Sequence, residues 1–174
     1  MKTKITLPVD IVLAPEWWNK NTGITFDRDF FFHPIKRVES EQKMEKTLYE
    51  RWGKYGLGAD KDTARPEIGA VHLAAGFLLS EIMGCEVEYT ENHPPAVHCN
   101  NREELKVDVK SAFKTKAYKA FEALCDTLKK KHGYLTGDVN WGGILNIAMD
   151  IRGQQLFLDM AMEDENVQGF FDDI

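Results

Sequence analysis

Two short stretches that read as strands, 85–89 and 134–141, stand on either side of a long run of helical periodicity, 102–131. A connection of that length far exceeds a hairpin turn and suits a right-handed crossover between parallel strands. In the first stretch Cys85, Val87 and Tyr89 alternate with Glu86 and Glu88, so one face is apolar and the other wet. In the long run, Leu105, Val109, Phe113, Ala117, Phe121, Leu124 and Leu128 make one helical stripe, with Cys125 beside them as a core residue. Asn101 followed by Glu104 approximates a capping box. Lys129, Lys130, Lys131 and His132 suit the negative end of the helix dipole, and Gly133 is the expected residue after it. The basic run therefore reads as a helix end rather than a phosphate site.

The remaining periodicities add helices around this unit. Met44, Leu48, Trp52 and Tyr55 mark a helix over 38–57, stopped by Gly56 and Gly58. Residues 68–83 are apolar nearly all round, which predicts a buried helix ending at Gly84. Residues 91–101, with Pro94 and Pro95, read as a loop. Shorter helices are predicted over 144–151 and 154–162, and a last one capped by Asp164. Residues 1–37 are punctuated by Pro8, Pro15 and Pro34 and dense in aromatics, including Trp17, Trp18, Phe26, Phe30, Phe31 and Phe32. They are expected to form an arm or lid over a body of residues 38–174, since a disordered tail rarely carries so many aromatic rings. Strands separated by helices imply an α/β fold.

Composition limits the function classes. The chain has 174 residues with 28 acidic and 22 basic side chains, a net charge of −6. That balance argues against a nucleic-acid binder. No uncharged apolar stretch approaches the roughly 18 residues of a spanning helix, so no membrane association is expected. Three cysteines, Cys85, Cys99 and Cys125, without a C-x-x-C pattern suit a reducing, cytoplasmic setting.

Few residues offer chemistry. The sequence lacks a P-loop, a dinucleotide fingerprint, a nucleophile elbow and an H-E-x-x-H pattern. His93, His98 and Cys99, with Glu91 nearby, are the densest metal-capable group, but adjacent residues of an extended segment point apart, and no metal site is assigned. Asp138, Asn140 and Trp141 fall at the carboxyl end of a predicted parallel strand, the edge where α/β folds bind ligands. There Asp138 would orient a polar partner, Asn140 would hydrogen-bond a substrate and Trp141 would form an apolar wall. The competing reading makes Trp141 a core residue and Asp138 a turn cap. His72, the one titratable ring in the apolar 68–83 segment, is either a hydrogen-bonded core residue or a side chain facing the pocket.

Several blocks together resemble the uroporphyrinogen decarboxylase superfamily. They are Met83-Gly84-Cys85-Glu86-Val87-Glu88-Tyr89, Gly137-Asp138-Val139-Asn140-Trp141-Gly142-Gly143, Asp150-Ile151-Arg152-Gly153 and Met162-Glu163-Asp164-Glu165-Asn166-Val167. The resemblance covers roughly residues 65–174 and implies a (β/α)8 barrel. Ala75 and Met149 stand where the decarboxylases would place a substrate aspartate and a pocket tyrosine, and no arginine-rich segment surrounds Arg37, so heme-pathway decarboxylation is not expected. The resemblance points instead to the branch that moves methyl groups between corrinoid proteins and thiols.

A complete barrel usually takes about 250 residues. The expectation is therefore a partial TIM-type barrel, the N-terminal part of a methyltransferase-type enzyme, inactive as the chain stands. The family's zinc would sit in the missing half, leaving no cofactor in this chain, and a corrinoid protein would be the partner. The alternative is a non-catalytic module of the same fold that binds a partner or a small molecule. An incomplete sheet exposes edges and an apolar face, so self-association is expected unless the aromatic arm covers the opening.

Overall fold

The computed structural model describes residues 12–61, 63–69, 77–139, 142–162 and 165–174. It is a mixed α/β structure in which helices predominate over four short strands among the described residues. Those strands close no barrel, and no helix of the described residues is long and apolar enough to cross a membrane.

Residues of the expected arm are helical and form the main core. Pro15 opens α1 (Pro15–Thr22), where its missing N–H costs nothing, and Gly23 at φ 70° closes it. Asp27 caps α2 (Arg28–Phe32) by accepting from the Phe30 amide. His33 Nδ1 accepts from the Lys36 amide at the start of α3 (Pro34–Trp52). Trp18, Ile24, Phe26, Phe30 and Phe31 are all buried, in one cluster with Met44, Phe77, Leu78, Ile82, Ala112 and Ala117. The rings of Phe31 and Phe77 meet edge to face at 4.7 Å. An arm that merely covered a finished core would not supply its largest side chains; these aromatics are where burial contributes most.

The strands pair differently from the expected parallel unit. β1 (Glu67–Gly69) and β4 (Thr136–Asp138) are parallel, with Glu67 opposite Thr136, Ile68 opposite Gly137 and Gly69 opposite Asp138. The expected first strand is β2 (Glu86–Glu88), and it pairs antiparallel with β3 (Ala96–His98) in a separate sheet. β2 and β4 are therefore not partners. The segment around Pro94-Pro95 turns the chain back on itself, and a local hairpin closes a far shorter loop than a crossover does. Residues 96–98 lie within a stretch whose composition reads as loop. Conversely, the predicted helix over 68–83 begins as strand β1, and its described helical part is α4 (Phe77–Ile82).

The long predicted helix is divided. Residues 101–108 are irregular, and Asn101 has φ 48° instead of an N-cap geometry. Asp108 caps α5 (Val109–Ala112), and Thr115 restarts the chain as α6 (Lys116–His132) by accepting from the Tyr118 amide at 3.2 Å. The division follows from where the apolar stripe is buried. Leu105, Val107 and Val109 pack with Cys85, Ile147, Ile151 and Phe170; Ala117, Tyr118 and Phe121 join the aromatic core; Leu124 and Leu128 pack on Val38. The single helix α6 serves the last two clusters, and the break lies between the first cluster and the aromatic core. Phe113, at the break, is exposed. The C-terminal end behaves as expected, with Gly133 at φ 83° after the basic last turn. Three helices complete the chain: α7 (Gly143–Arg152), α8 (Gln155–Ala161) and α9 (Asn166–Asp173). Asp164, expected to cap the last of them, lies outside the described residues.

Since residues 15–37 are core and not cover, a chain lacking residues 1–37 is expected to lose its cooperative thermal transition in calorimetry. A truncated chain that still melts sharply would contradict this packing.

Candidate functional site

β1 and β4 run in the same direction and end level with each other, so Gly69 and Asp138 share one edge. The carboxyl edge of a parallel pair is where the chain leaves the sheet for its connections, and α/β folds place ligands there. The approach is close. Gly69 has φ 72°, and a Cβ on it would come within 2.2 Å of the Asp138 carbonyl oxygen. Gly137 has φ 116°, and a Cβ there would stand 2.2 Å from the Ile68 carbonyl oxygen. Side chains at either position would force the strands apart.

Behind this edge lies Arg37 of α3, with no exposed side-chain surface. Its Nη1 donates to the Gly69 carbonyl at 2.9 Å, and its guanidinium carbon sits 4.7 Å from the centre of the Phe30 ring. Nε approaches Glu41 Oε1, one turn along the helix, to 2.9 Å. Among the described residues Nη2 has no hydrogen-bond acceptor. Glu41 is itself buried, and burial pushes its carboxyl from 4.5 up to about 7. The Arg37 charge opposes that shift and the nearby Glu67 carboxylate adds to it. Toward the other end of β1, Arg65 pairs with Glu45 and lies 3.6 Å from Glu67.

Of the four residues expected to form a site, Asp138 is the last residue of β4, exposed at the carboxyl edge. Asn140, Trp141 and His72 lie outside the described residues. No motif marks Arg37 as a site residue. Its only signal is an arginine with a glutamate four residues on, set among Val38 and Met44 on the buried stripe of a helix. A guanidinium in that position must find buried partners.

Other groups disperse instead of converging. His93 Nδ1 is 2.9 Å from Glu16, His98 Nε2 is 3.4 Å from Glu88, and Cys99 Sγ faces the Met149 carbonyl. Among the described residues no cluster of three or more such side chains could hold a metal ion. Arg152 of the Arg-Gly block is a lock for the fold. Its Nε and Nη2 donate to Asp159 at 2.6 and 3.1 Å, and Nη1 donates to the carbonyls of Arg102 and Glu103. The guanidinium holds the Asp159 carboxyl below its usual range. A groove of about 700 Å3 beside it is lined by Glu103, Glu104, Glu165, Asp172 and Asp173 as well as Arg152 and Lys106, an acidic wall that repels anions.

Compared with protein-family models, curated proteins and solved structures, the chain matches none.

Two outcomes follow from the edge geometry. Gly69→Ala is expected to destabilise the chain by about 1–2 kcal/mol from the left-handed backbone alone, with the carbonyl clash added, measured by urea denaturation. The pH dependence of stability carries the Glu41 contribution. Its folded value lies above its unfolded one, so the folded state binds the extra proton. Its contribution is therefore complete below about 4.5 and is lost as pH rises through about 7. Glu41→Gln is expected to flatten the stability curve across that window; an unchanged curve would show that Glu41 titrates normally.

Proposed function

We propose that this chain is a small-molecule-binding α/β module that holds its ligand at the carboxyl edge of β1 and β4. The observation that carries this reading is the placement at Gly69 of the exposed Asp138 and the buried Arg37, whose Nη2 has no acceptor among the described residues. Arg37 acts through its field, since it has no exposed surface. With Glu41 taking up a proton near pH 7, the guanidinium charge is only partly offset at neutral pH. Such an edge favours an anionic oxygen, while Asp138 accepts a hydrogen bond from a donor on the same molecule. A hydroxy- or amino-carboxylate has both groups.

The finer form of the proposal is that this module is the N-terminal part of a uroporphyrinogen decarboxylase-like (β/α) barrel. Its completed form would move methyl groups between a corrinoid protein and a thiol. Parallel pairing of two strands across a connection that includes α4, α5 and α6, with the β2–β3 hairpin inserted in it, supports the barrel reading. The methyl-transfer reading rests on the sequence resemblance, and in it zinc would be held by residues outside this chain.

The test is a calorimetric titration of the full chain with a panel of hydroxy- and amino-carboxylates, repeated on Asp138→Asn. One hydrogen bond to a charged group contributes about 1.5–3 kcal/mol, so the variant is expected to bind about ten- to a hundred-fold more weakly. If no member of the panel binds, or if the variant binds as tightly, the ligand site is elsewhere.

A further inference from the structure

The antiparallel ladder of β2 and β3 pairs Glu86 with His98, Val87 with Val97 and Glu88 with Ala96. One position beyond its end, the same register sets Cys85 opposite Cys99. A further position out, Asn100 Nδ2 donates to the Gly84 carbonyl at 3.0 Å. This side-chain bond holds the two segments together past the ladder, so the cysteines are bracketed by the ladder on one side and by it on the other.

Both thiols also meet the same feature of α7. Cys85 Sγ lies 3.4 Å from the Asp150 carbonyl oxygen, and Cys99 Sγ lies 3.3 Å from that of Met149, the preceding residue. Two sulfurs set against consecutive carbonyls lie on one side of the hairpin. Val87 and Val97, the cross-strand pair two positions away, are likewise packed on the same aromatic cluster. Opposed residues in an antiparallel pair have Cα atoms about 4.5–5.5 Å apart, inside the roughly 4.4–6.8 Å that a disulfide spans. The Cys85 amide donates to Ser80 instead of the facing strand, so a crosslink here breaks no ladder bond from Cys85.

We propose that Cys85 and Cys99 form a reversible cross-strand disulfide, and that this end of the hairpin is a peroxide-responsive thiol pair. The two partners are unequal in a way that orders the steps. Cys99 is exposed and Cys85 is buried. Burial pushes the Cys85 thiol up to about 11, so it keeps its proton at neutral pH while Cys99 meets the oxidant.

The Cys99 thiolate attacks one oxygen of hydrogen peroxide. The O–O bond breaks, the departing hydroxide takes a proton to become water, and Cys99 becomes a sulfenic acid. Cys85 then gives up its proton and attacks Cys99 Sγ. The S–S bond forms, the S–O bond breaks, and the second oxygen leaves as water. In sum, two thiols and one peroxide give one disulfide and two waters. The sulfurs lose two electrons and the peroxide gains them. A dithiol reductant reverses the change by exchange.

The experiment treats the full chain with hydrogen peroxide and follows free thiols and mass. Two of its three thiols are expected to disappear and to return with dithiothreitol. No lysine or arginine lies between residues 85 and 99, so the tryptic peptide containing both should be lighter by two hydrogens. A protease cutting after Glu86, Glu88 and Glu91 should then leave fragments that separate only on reduction. Cys125→Ser is expected to behave like the parent, apart from its missing thiol. Cys99→Ser is expected to form no intramolecular disulfide. The proposal is overturned if Cys99 proceeds to sulfinic acid while Cys85 stays free, if Cys99 links two chains, or if the crosslink involves Cys125.

Discussion

A single buried guanidinium ties the parts of this structure together. Arg37 projects from α3, hydrogen-bonds the last carbonyl of β1, packs on the Phe30 ring of α2 and approaches Glu41 on its own helix. A charge removed from water is costly unless partners compensate it. Helix, strand and aromatic cluster must all be in place before that compensation exists. The parallel pair depends on it in turn, because β1 is three residues long and, among the described residues, is flanked by a single strand. Strands so short gain little from pairing alone, and the Arg37 contact fixes where Gly69 presents the edge.

The second constraint is the aromatic cluster. Helices α1 and α2 are short and would be unstable in isolation, yet they supply Trp18, Phe30 and Phe31 to the core. Around that core a polar network fastens the hairpin to the N-terminal helices. Glu81 accepts from the Tyr89 hydroxyl at 2.7 Å and pairs with Arg28, whose guanidinium covers the Phe32 and Tyr89 rings. Burial and the neighbouring Glu81 carboxylate both raise the Tyr89 phenol, which keeps it a hydrogen-bond donor. The carboxyl edge of β1 and β4, the aromatic core and the Cys85–Cys99 end of the hairpin thus lie on elements that are mutually braced.

Part of the candidate site is legible in the amino-acid pattern. The pattern puts Asp138 at the carboxyl end of a parallel strand, and it lies there, although the strand beside it is 67–69 and not 85–89. Arg37 falls in the segment read as an arm, one residue before the expected helix, and its reach to the Gly69 carbonyl depends on a contact between residues 32 positions apart. The Arg152-Gly153 block, part of the family resemblance, anchors residues 102–103 through two carbonyls. No local pattern announces such a bond, since any exposed arginine on a helix end looks the same.

What the sequence determined by itself were the features encoded within a turn or two. These include the stop at Gly133, the alternation through 85–89 and the helix after Gly142-Gly143. Each follows from a backbone preference or a periodicity that neighbouring residues complete. The tertiary structure alone decided which strands pair, where the long helix divides, and that the aromatic segment is core. In each case competing arrangements satisfy the same local pattern. The apolar positions of 105–128 make one stripe on paper, and three separate clusters claim them in space. Burial is a non-local quantity, and the chain settles it only when all the surfaces meet.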